Sequence, residues 1–178
     1  MENLIHNPYL FKALAAYPYD LEETMEALNY ALSYDDQNVQ ALCLLGKVYA
    51  NDLNEYELAK SCFEKAMASN LENPSIYLDY LYTLIRNEDL KEAQKLLDFA
   101  MKIKGVDKVY LMLIQGQLFE VQKRFKEALV QFKKAKKSAL NNHFKRFVND
   151  EISRVKEKLG AKKKRKPKKK KRAKKSSL

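Results

Sequence analysis

The sequence predicts an all-α solenoid, in which antiparallel pairs of helices stack side by side. Ala59, Ala93 and Ala128 recur at intervals of 34 and 35 residues, and residues 88–104 carry apolar side chains at helical spacings of three and four. The chain has 178 residues but only 4 glycines and 4 prolines, which leaves long helices uninterrupted. A unit of about 35 residues is too small to bury its own apolar face, so neighbouring units are expected to stack.

The first unit is predicted at residues 7–37 and is the faintest of the four. Leu28 lies 35 residues before Phe63 of the next unit, and residues 8–17 can supply a first helix. Asp20 is followed by a glutamate three residues later, a spacing that forms a capping box. We therefore expect the second helix of this unit to begin there.

The second unit, residues 38–72, shows the repeating pattern most clearly. Within 52–57 it has one residue more than the later units, at a connection where added length costs little. Its pattern positions are Leu42, Leu45, Gly46 and Tyr49 on the first helix and Ala59, Phe63 and Ala66 on the second.

The third and fourth units are predicted at residues 73–107 and 108–140. Their alignment with the second unit depends on Gly46, Leu81 and Gly116, which are spaced 35 and 35 residues apart. An Asn-Pro pair at the start of the third unit predicts a helix start, because asparagine is a favoured N-cap and proline fits the first turn.

Packing explains why the same residue types recur. Small residues such as glycine and alanine let the two helices of a pair approach closely. The larger residues Phe63, Leu97 and Phe132 are expected to fill the volume between one pair and the next.

These residues resemble the tetratricopeptide repeat, whose pattern is Trp-x-x-Leu-Gly-x-x-Tyr on one helix, then Ala, an aromatic residue and Ala on the next. The resemblance covers residues 7–140, with Leu42 in the tryptophan place and no closing proline in any unit. It implies a right-handed α-solenoid whose first helices line a concave groove that accepts peptides. At the pattern positions the third unit has Tyr77, Tyr80, Leu81 and Leu84, and the fourth has Met112, Gln115, Gly116 and Phe119.

Transferred by position, the resemblance implies a mixed groove with an aromatic middle. Tyr82 and Tyr110 would offer apolar area and a hydroxyl, and Lys47 and Arg86 would pair with carboxylates. The alternative is that some of these side chains only pack against their neighbours. The predicted groove residues are Cys43, Lys47, Asn51, Leu78, Tyr82, Arg86, Tyr110, Leu113 and Gln117.

One specialisation of the resembled family is not expected here. Members that hold the C-terminal carboxylate of heat-shock chaperones use lysine, asparagine and arginine at defined groove positions. This chain has Cys43, Lys47, Asp79, Tyr110 and Ile114 in those places. The resemblance therefore does not imply binding of chaperone tails.

Residues 141–159 are predicted to form a capping helix that covers the last apolar face of the array. Phe144, Ile152 and Val155 recur at helical spacing, and Gly160 is expected to end the helix as a C-cap. The same apolar stripe could instead form a homodimer, although a monomer is the favoured expectation.

Charge divides the chain into a repeat domain, residues 1–160, and a tail, residues 161–178. The net charge of +11 comes from the tail, because residues 1–160 hold 22 basic and 23 acidic side chains. The tail is expected to be disordered, since its like charges repel and it has almost no apolar side chains to offset chain entropy. Its predicted polyanion-binding residues are Lys162, Lys163, Lys164, Arg165, Lys166, Lys168, Lys169, Lys170, Lys171, Arg172, Lys174 and Lys175.

The repeat domain is itself electrically polarised. Residues 1–100 carry 7 basic and 17 acidic side chains, whereas residues 101–160 carry 15 and 6. Two interpretations of the second part stay open: an ordinary solvated helix surface, or a basic face that continues into the tail.

The composition indicates a binding protein rather than an enzyme, and no cofactor or metal is expected. The sequence has no glycine-rich phosphate loop, no His-Glu-x-x-His and no Gly-x-Ser-x-Gly. Cys43 and Cys62 lack metal-ligand spacing and are expected to be reduced. No apolar run approaches the length of a membrane span, and the N-terminus has no secretory pattern. The expected location is cytoplasmic, or nuclear in a eukaryote.

Three hypotheses of function follow from these features. The first is a scaffold or adaptor whose groove binds another protein or a peptide. The second adds contact between the tail and RNA or DNA, because lysines that neutralise phosphates release counterions. In the third, the tail is only an address for nuclear import or for an anionic membrane surface, without stable membrane insertion.

Overall fold

The computed structural model describes residues 7–164, with side chains described up to residue 160. Over this range it contains helices and turns but no β-strand, which confirms the predicted all-α solenoid of antiparallel helix pairs. None of the helices in this range is both long enough and apolar enough to cross a membrane. The α-helices are α1 (Pro8–Ala16), α2 (Leu21–Tyr34), α3 (Val39–Val48), α4 (Tyr56–Ser69), α5 (Ser75–Arg86), α6 (Leu90–Ala100), α7 (Lys108–Val121), α8 (Phe125–Ser138) and α9 (Asn142–Lys164).

Helices α1 to α8 form four antiparallel pairs, each of which packs against the next. Consecutive first helices touch one another: α1 contacts α3, α3 contacts α5, and α5 contacts α7. The second helices α2, α4, α6 and α8 make no comparable contacts among themselves. The array therefore curves, with the first helices on its inner surface and the second helices on its outer surface.

Side chains at the predicted positions start two of the helices. Asp20 Oδ1 accepts a hydrogen bond from the Glu23 N–H at 2.9 Å, which confirms the predicted N-cap of α2. The predicted start of α5 is shifted by one residue. Asn73 Oδ1 accepts from the Ser75 N–H at 3.0 Å, and Pro74 is the N-cap rather than the first helical residue.

The contact between the helices of a pair combines a small residue with a large one. Phe63 lies against Gly46, so that a Cβ added to this glycine would be 2.9 Å from the ring. The Phe63 ring also stacks on Tyr80 of the next pair, with ring centroids 5.3 Å apart. Phe63 thus fills space within its own pair as well as between pairs. The sequence predicts only the packing between pairs. In the third pair two residues of middle size, Leu81 and Leu97, are buried at the corresponding positions.

The extra residue of the second unit forms a π-helical turn, Tyr49–Leu53, at the end of α3. Asn54 follows with a φ of 57°, and the Glu55 N–H donates to the carbonyl of the residue six positions earlier at 2.8 Å. The equivalent bonds at the ends of α5 and α7 span five positions. The insertion is therefore absorbed by one wider turn, and α3 still pairs with α4.

Helix α9 packs against α8 and covers the last apolar face, as predicted for a capping helix. Its residues Val148 and Val155 are fully buried in one cluster with Leu113. The predicted end at Gly160 is wrong, because the helix continues through this residue to Lys164. The residues that follow the glycine are an alanine and lysines, all good helix formers, and no chain reversal requires a left-handed residue here.

The proposed boundary between a repeat domain and a tail stays a prediction. The backbone of residues 162–164 belongs to the last turn of α9, but their side chains lie outside the described part of the structure. The predicted polyanion-binding residues within 165–175 lie outside it altogether.

Candidate binding groove on the inner surface

The N-terminal half of the inner surface brings together polar residues from three helix pairs. Arg86 Nη1 on α5 donates a hydrogen bond to Asn51 Oδ1 in the π-helical turn at 2.5 Å. Lys47 Nζ lies 5.6 Å from the centroid of the Tyr17 ring, a cation–π contact. Burial raises the pKa of Tyr17, and the neighbouring Asp52 carboxylate raises it further. Three predicted groove residues, Lys47, Asn51 and Arg86, are thus partners in one polar cluster.

The middle of the inner surface surrounds Asp79 of α5. Burial raises the pKa of the half-buried Cys43 thiol to about 12, and the Asp79 carboxylate contributes in the same direction. Burial also raises the pKa of Tyr82 to about 12, with smaller contributions from Tyr110 and Glu151. Both groups therefore stay protonated near neutral pH. They can donate hydrogen bonds, and Cys43 is not activated as a nucleophile.

Aromatic rings from α7 and α9 form the C-terminal end of this surface. The ring centroids of Tyr110 and Phe144 are 4.9 Å apart and their planes are tilted by 58°. Phe147 continues the contact, with its centroid 6.5 Å from that of Phe144. Tyr110 remains 41% exposed, so one side of its ring is held by α9 while the other faces solvent.

Glu120 of α7, which has little exposure, fastens α9 to α7. Glu120 Oε2 accepts a hydrogen bond from Arg154 Nη2 at 2.6 Å, and Glu120 Oε1 accepts from Lys158 Nζ at 2.7 Å. Arg154 also donates to Glu151 at 2.6 Å. Only 8% of Glu120 and 7% of Glu151 is exposed, which makes these charge-assisted bonds stronger than ordinary surface pairs. The network fixes where the groove ends.

The prediction that Leu113 belongs to the groove is wrong. Leu113 is only 1% exposed and packs beneath α9 with Val148 and Ile152, so it cannot contact a ligand on the inner surface. The capping helix occupies the space that a groove residue would need at this position. Leu78 and Gln117, also predicted, are half-buried on first helices.

The sequence missed three residues of this surface. Tyr17 lies in the connection after α1, outside the repeat pattern, and nothing in the sequence marks it. In the sequence, Asp79 stands out only as a departure from the chaperone clamp. Glu151 carries a usable signal, since it is an acid inside the apolar stripe formed by Val148 and Ile152. A lone acid on a buried helix face usually has a cationic partner.

An apolar depression of about 480 Å³ lies on the opposite, outer surface between α4 and α6. Tyr80, Leu84 and Leu96 line it, and Glu64 and Glu92 contribute carboxylates. A second depression is lined by Lys65, Ala68 and Ser69 of α4 and by two polar residues of the connection after α2, Asp36 and Gln37. Neither feature belongs to the inner surface, and the resemblance to a peptide groove did not predict them.

Comparison with known proteins supports the fold. No family model matches the sequence, and no curated protein matches it. Among solved structures, PilF of Pseudomonas aeruginosa superimposes with a TM-score of 0.72 at 22% identity, covering 87% of this chain and 69% of that one. A thermophilic TPR protein of Thermus thermophilus has a TM-score of 0.68 at 14% identity, covering 83% of this chain and 79% of that one.

YrrB, described as a TPR protein with an unusual peptide-binding site, has a TM-score of 0.63 at 22% identity, covering 89% of this chain and 78% of that one. These likenesses agree with the stacked antiparallel helix pairs described above. The chain therefore has the right-handed tetratricopeptide-repeat fold that its sequence resembles.

Proposed function

We propose that this protein is a non-enzymatic adaptor that binds an extended segment of another protein along its inner surface and contacts nucleic acid through its basic tail. The observation that carries the first part is the exposed hydrogen bond from Arg86 to Asn51. It joins two successive repeats on the inner surface, one helical turn from the half-buried Tyr82. A guanidinium beside an aromatic ring is a combination enriched where binding energy concentrates.

The chemistry of this surface suits a peptide with both charges. Arg86 and Lys47 can pair with carboxylates of a ligand, including a chain terminus. Asp52 and Asp79 can accept hydrogen bonds from a lysine, an arginine or backbone N–H groups. Tyr82, whose pKa is raised to about 12 by burial, keeps its hydroxyl proton and can donate to a backbone carbonyl. The description of YrrB as a TPR protein with a peptide-binding site supports this use of the fold by analogy.

The groove proposal is tested by comparing the proteins that copurify with two variants of the full chain. Tyr82→Ala combined with Arg86→Glu should remove a defined subset of the partners bound by the native protein. The matched control is Tyr34→Ala combined with Lys91→Glu, which alters exposed residues of the second helices α2 and α6. Circular dichroism verifies the fold of both. If the two variants retain the same set of partners, the groove assignment is wrong.

The tail proposal is supported by charge alone: 12 of the residues from 162 to 175 are basic and none is acidic. Such a segment binds phosphates without sequence preference, and its affinity falls steeply with salt. Replacing the lysines and arginines of 165–175 by glutamine should weaken binding of a fluorescent oligouridylate and flatten its salt dependence. Unchanged affinity and slope would contradict a nucleic-acid role for the tail and favour an import or membrane address.

A further inference from the structure

Five lysines from two helices converge on one cleft between α8 and α9. The cleft, called here the lysine cleft, has a volume of about 470 Å³. Ile152 and Asn149 of α9 also line it, and none of the lining residues in the described part of the chain is acidic. The lysines are Lys133, Lys136 and Lys137 on α8 and Lys145 and Lys156 on α9.

The cations of the lysine cleft have no carboxylate partners among the described residues. None of the five lysines takes part in an ion pair within residues 7–160. Glu157 and Asp150 lie near Lys156 in sequence but form no ion pair with any of the five lysines within residues 7–160, and Glu127 and Glu151 pair with Arg124 and Arg154 instead. Like charges held together in this way repel one another, and an anion that enters the cleft relieves the repulsion.

We propose that the lysine cleft is a folded binding site for the phosphodiester backbone of nucleic acid. The inference rests on the nucleic-acid role proposed for the tail and adds a second, structured site to it. Lysines contact phosphates as compact point charges, and five of them around one cleft can follow several successive phosphates. Among the described residues no aromatic side chain lines the cleft to stack on a base, so we expect binding to be independent of sequence.

The shape of the site favours nucleic acid over a membrane. Four of the five lysines are exposed and Lys145 is half-buried, so the cleft is open. A flexible phosphodiester strand can bend to contact both walls of such a cleft at once, whereas the headgroups of a bilayer form a broad, nearly flat surface. The position of the site also supports the proposal. Helix α9 leads from Lys156 directly towards the basic residues that begin at 162, so one strand could engage both sites at once.

The test replaces two lysines of the cleft and, as a control, their immediate neighbours on the same helices. Lys133→Gln with Lys145→Gln removes cations from both walls of the cleft. Lys134→Gln with Arg146→Gln removes the same charge from exposed positions that do not line it. Binding of a fluorescent oligouridylate to the full chain is measured across a range of salt concentrations. The cleft variant should bind severalfold more weakly than the control, and its logarithmic salt slope should be smaller by about two.

Measuring the protection of individual lysines from acetylation shows whether RNA occupies the cleft, whatever the affinity of the tail. In the native full chain, bound oligouridylate should protect Lys133, Lys136 and Lys145 from acetylation while Lys134 stays reactive, as read by mass spectrometry. Equal affinities of the two variants together with no protection would overturn the lysine cleft. If glutamine replacement within 165–175 still abolished binding, the tail proposal alone would survive. Binding to phosphatidylserine vesicles without binding to RNA would overturn both.

Discussion

The ring of Phe132 lies directly on Gly116, so that a Cβ built on this glycine would be 2.5 Å from a ring carbon. Phe132 is fully buried and belongs to the apolar cluster formed by α7, α8 and α9. The same relationship joins Phe63 to Gly46 in the second pair, at 2.9 Å. Glycine is therefore required here because the ring occupies the position of its side chain, and not because of an unusual backbone conformation.

Gly116→Ala should destabilise the protein despite the higher helix propensity of alanine. Propensity favours the substitution by about 1 kcal/mol, but forcing a methyl group into a filled core costs more, typically about 1–3 kcal/mol. We expect a net loss of up to about 2 kcal/mol, seen in urea denaturation as a lower midpoint with an unchanged slope. The loss for Gly46→Ala should be smaller, because its contact with the ring is less close.

Gly160→Ala is the matched control, and it should have the opposite sign. A Cβ at Gly160 meets no atom within 4 Å, and the residue lies inside α9. At this position only the higher helix propensity of alanine affects stability, so we expect stabilisation of up to about 1 kcal/mol. A destabilising effect at Gly160, or none at Gly116, would contradict this account of the glycines.

The repeat pattern predicted the helix pairs because it records a contact that recurs. Each alanine, glycine or aromatic position describes packing between helices close in sequence, so its period carries over from one pair to the next. The repeat pattern does not predict that Leu113 is buried. This burial depends on where α9 packs, and α9 is not part of a repeating unit. The same holds for Tyr17, which reaches the inner surface from a connection. An insertion in the second unit was predicted, but its π-helical conformation, Tyr49–Leu53, depends on local hydrogen bonding.

Acidification should weaken the junction between α4 and α6. Lys60 Nζ donates to Asp89 Oδ2 at 2.7 Å, and this bond, together with one from Asn87, lowers the pKa of Asp89 below its ordinary value of 3.8. The Asp89 carboxylate therefore stabilises the folded protein fully above pH 3.8, where it is charged in both the folded and the unfolded chain. This stabilisation is lost as the pH falls through the lower pKa that Asp89 has in the folded protein.

The measurement is the free energy of unfolding in urea at a series of acidic pH values. Asp89→Asn should reduce stability at neutral pH and should flatten the decline below pH 3.8 relative to the native protein. Glu57→Gln serves as control, since Glu57 is far more exposed and lies 3.5 Å from the same lysine, against 2.7 Å for Asp89. A glutamine at 57 can still accept the hydrogen bond that Asn87 donates there. Parallel pH profiles for the native protein and Asp89→Asn would contradict the assignment.

Cys43 should react slowly with iodoacetamide although it is only half-buried. Burial and the Asp79 carboxylate raise its pKa to about 12, so the thiolate is scarce at neutral pH. We expect alkylation roughly a hundredfold or more slower than in the urea-unfolded chain, with a rate that keeps rising as pH approaches 12. Peptide mapping separates Cys43 from the buried Cys62.

The variant Asp79→Asn provides the control for this prediction. Removing the carboxylate should lower the pKa of Cys43 and increase its rate modestly, because burial, the larger cause, remains. A native rate equal to that of the unfolded chain would show that the thiol is neither buried nor electrostatically restrained.

Glu120→Gln should loosen α9 from α7 and alter the end of the groove. The substitution removes the charge that Arg154 and Lys158 share, while keeping the shape of the side chain. Because Glu120 is buried but the two cations are about half exposed, we expect a loss of about 1–2 kcal/mol, less than for a fully buried pair. Near-ultraviolet circular dichroism should change as well, since Tyr110 rests on Phe144 of the same helix.

Glu127→Gln distinguishes this effect from a general loss of negative charge. Glu127 pairs with Arg124 on the exposed side of α8, so its removal should change stability little and leave the near-ultraviolet spectrum as it is.

The comparison of the two glutamate variants also tests the groove. If Glu120→Gln weakens partner binding through displacement of α9, then Tyr110→Ala should weaken it too without a comparable loss of stability, because this ring is 41% exposed. Equal effects of the two glutamate variants would mean that the buried network does not hold α9 in place.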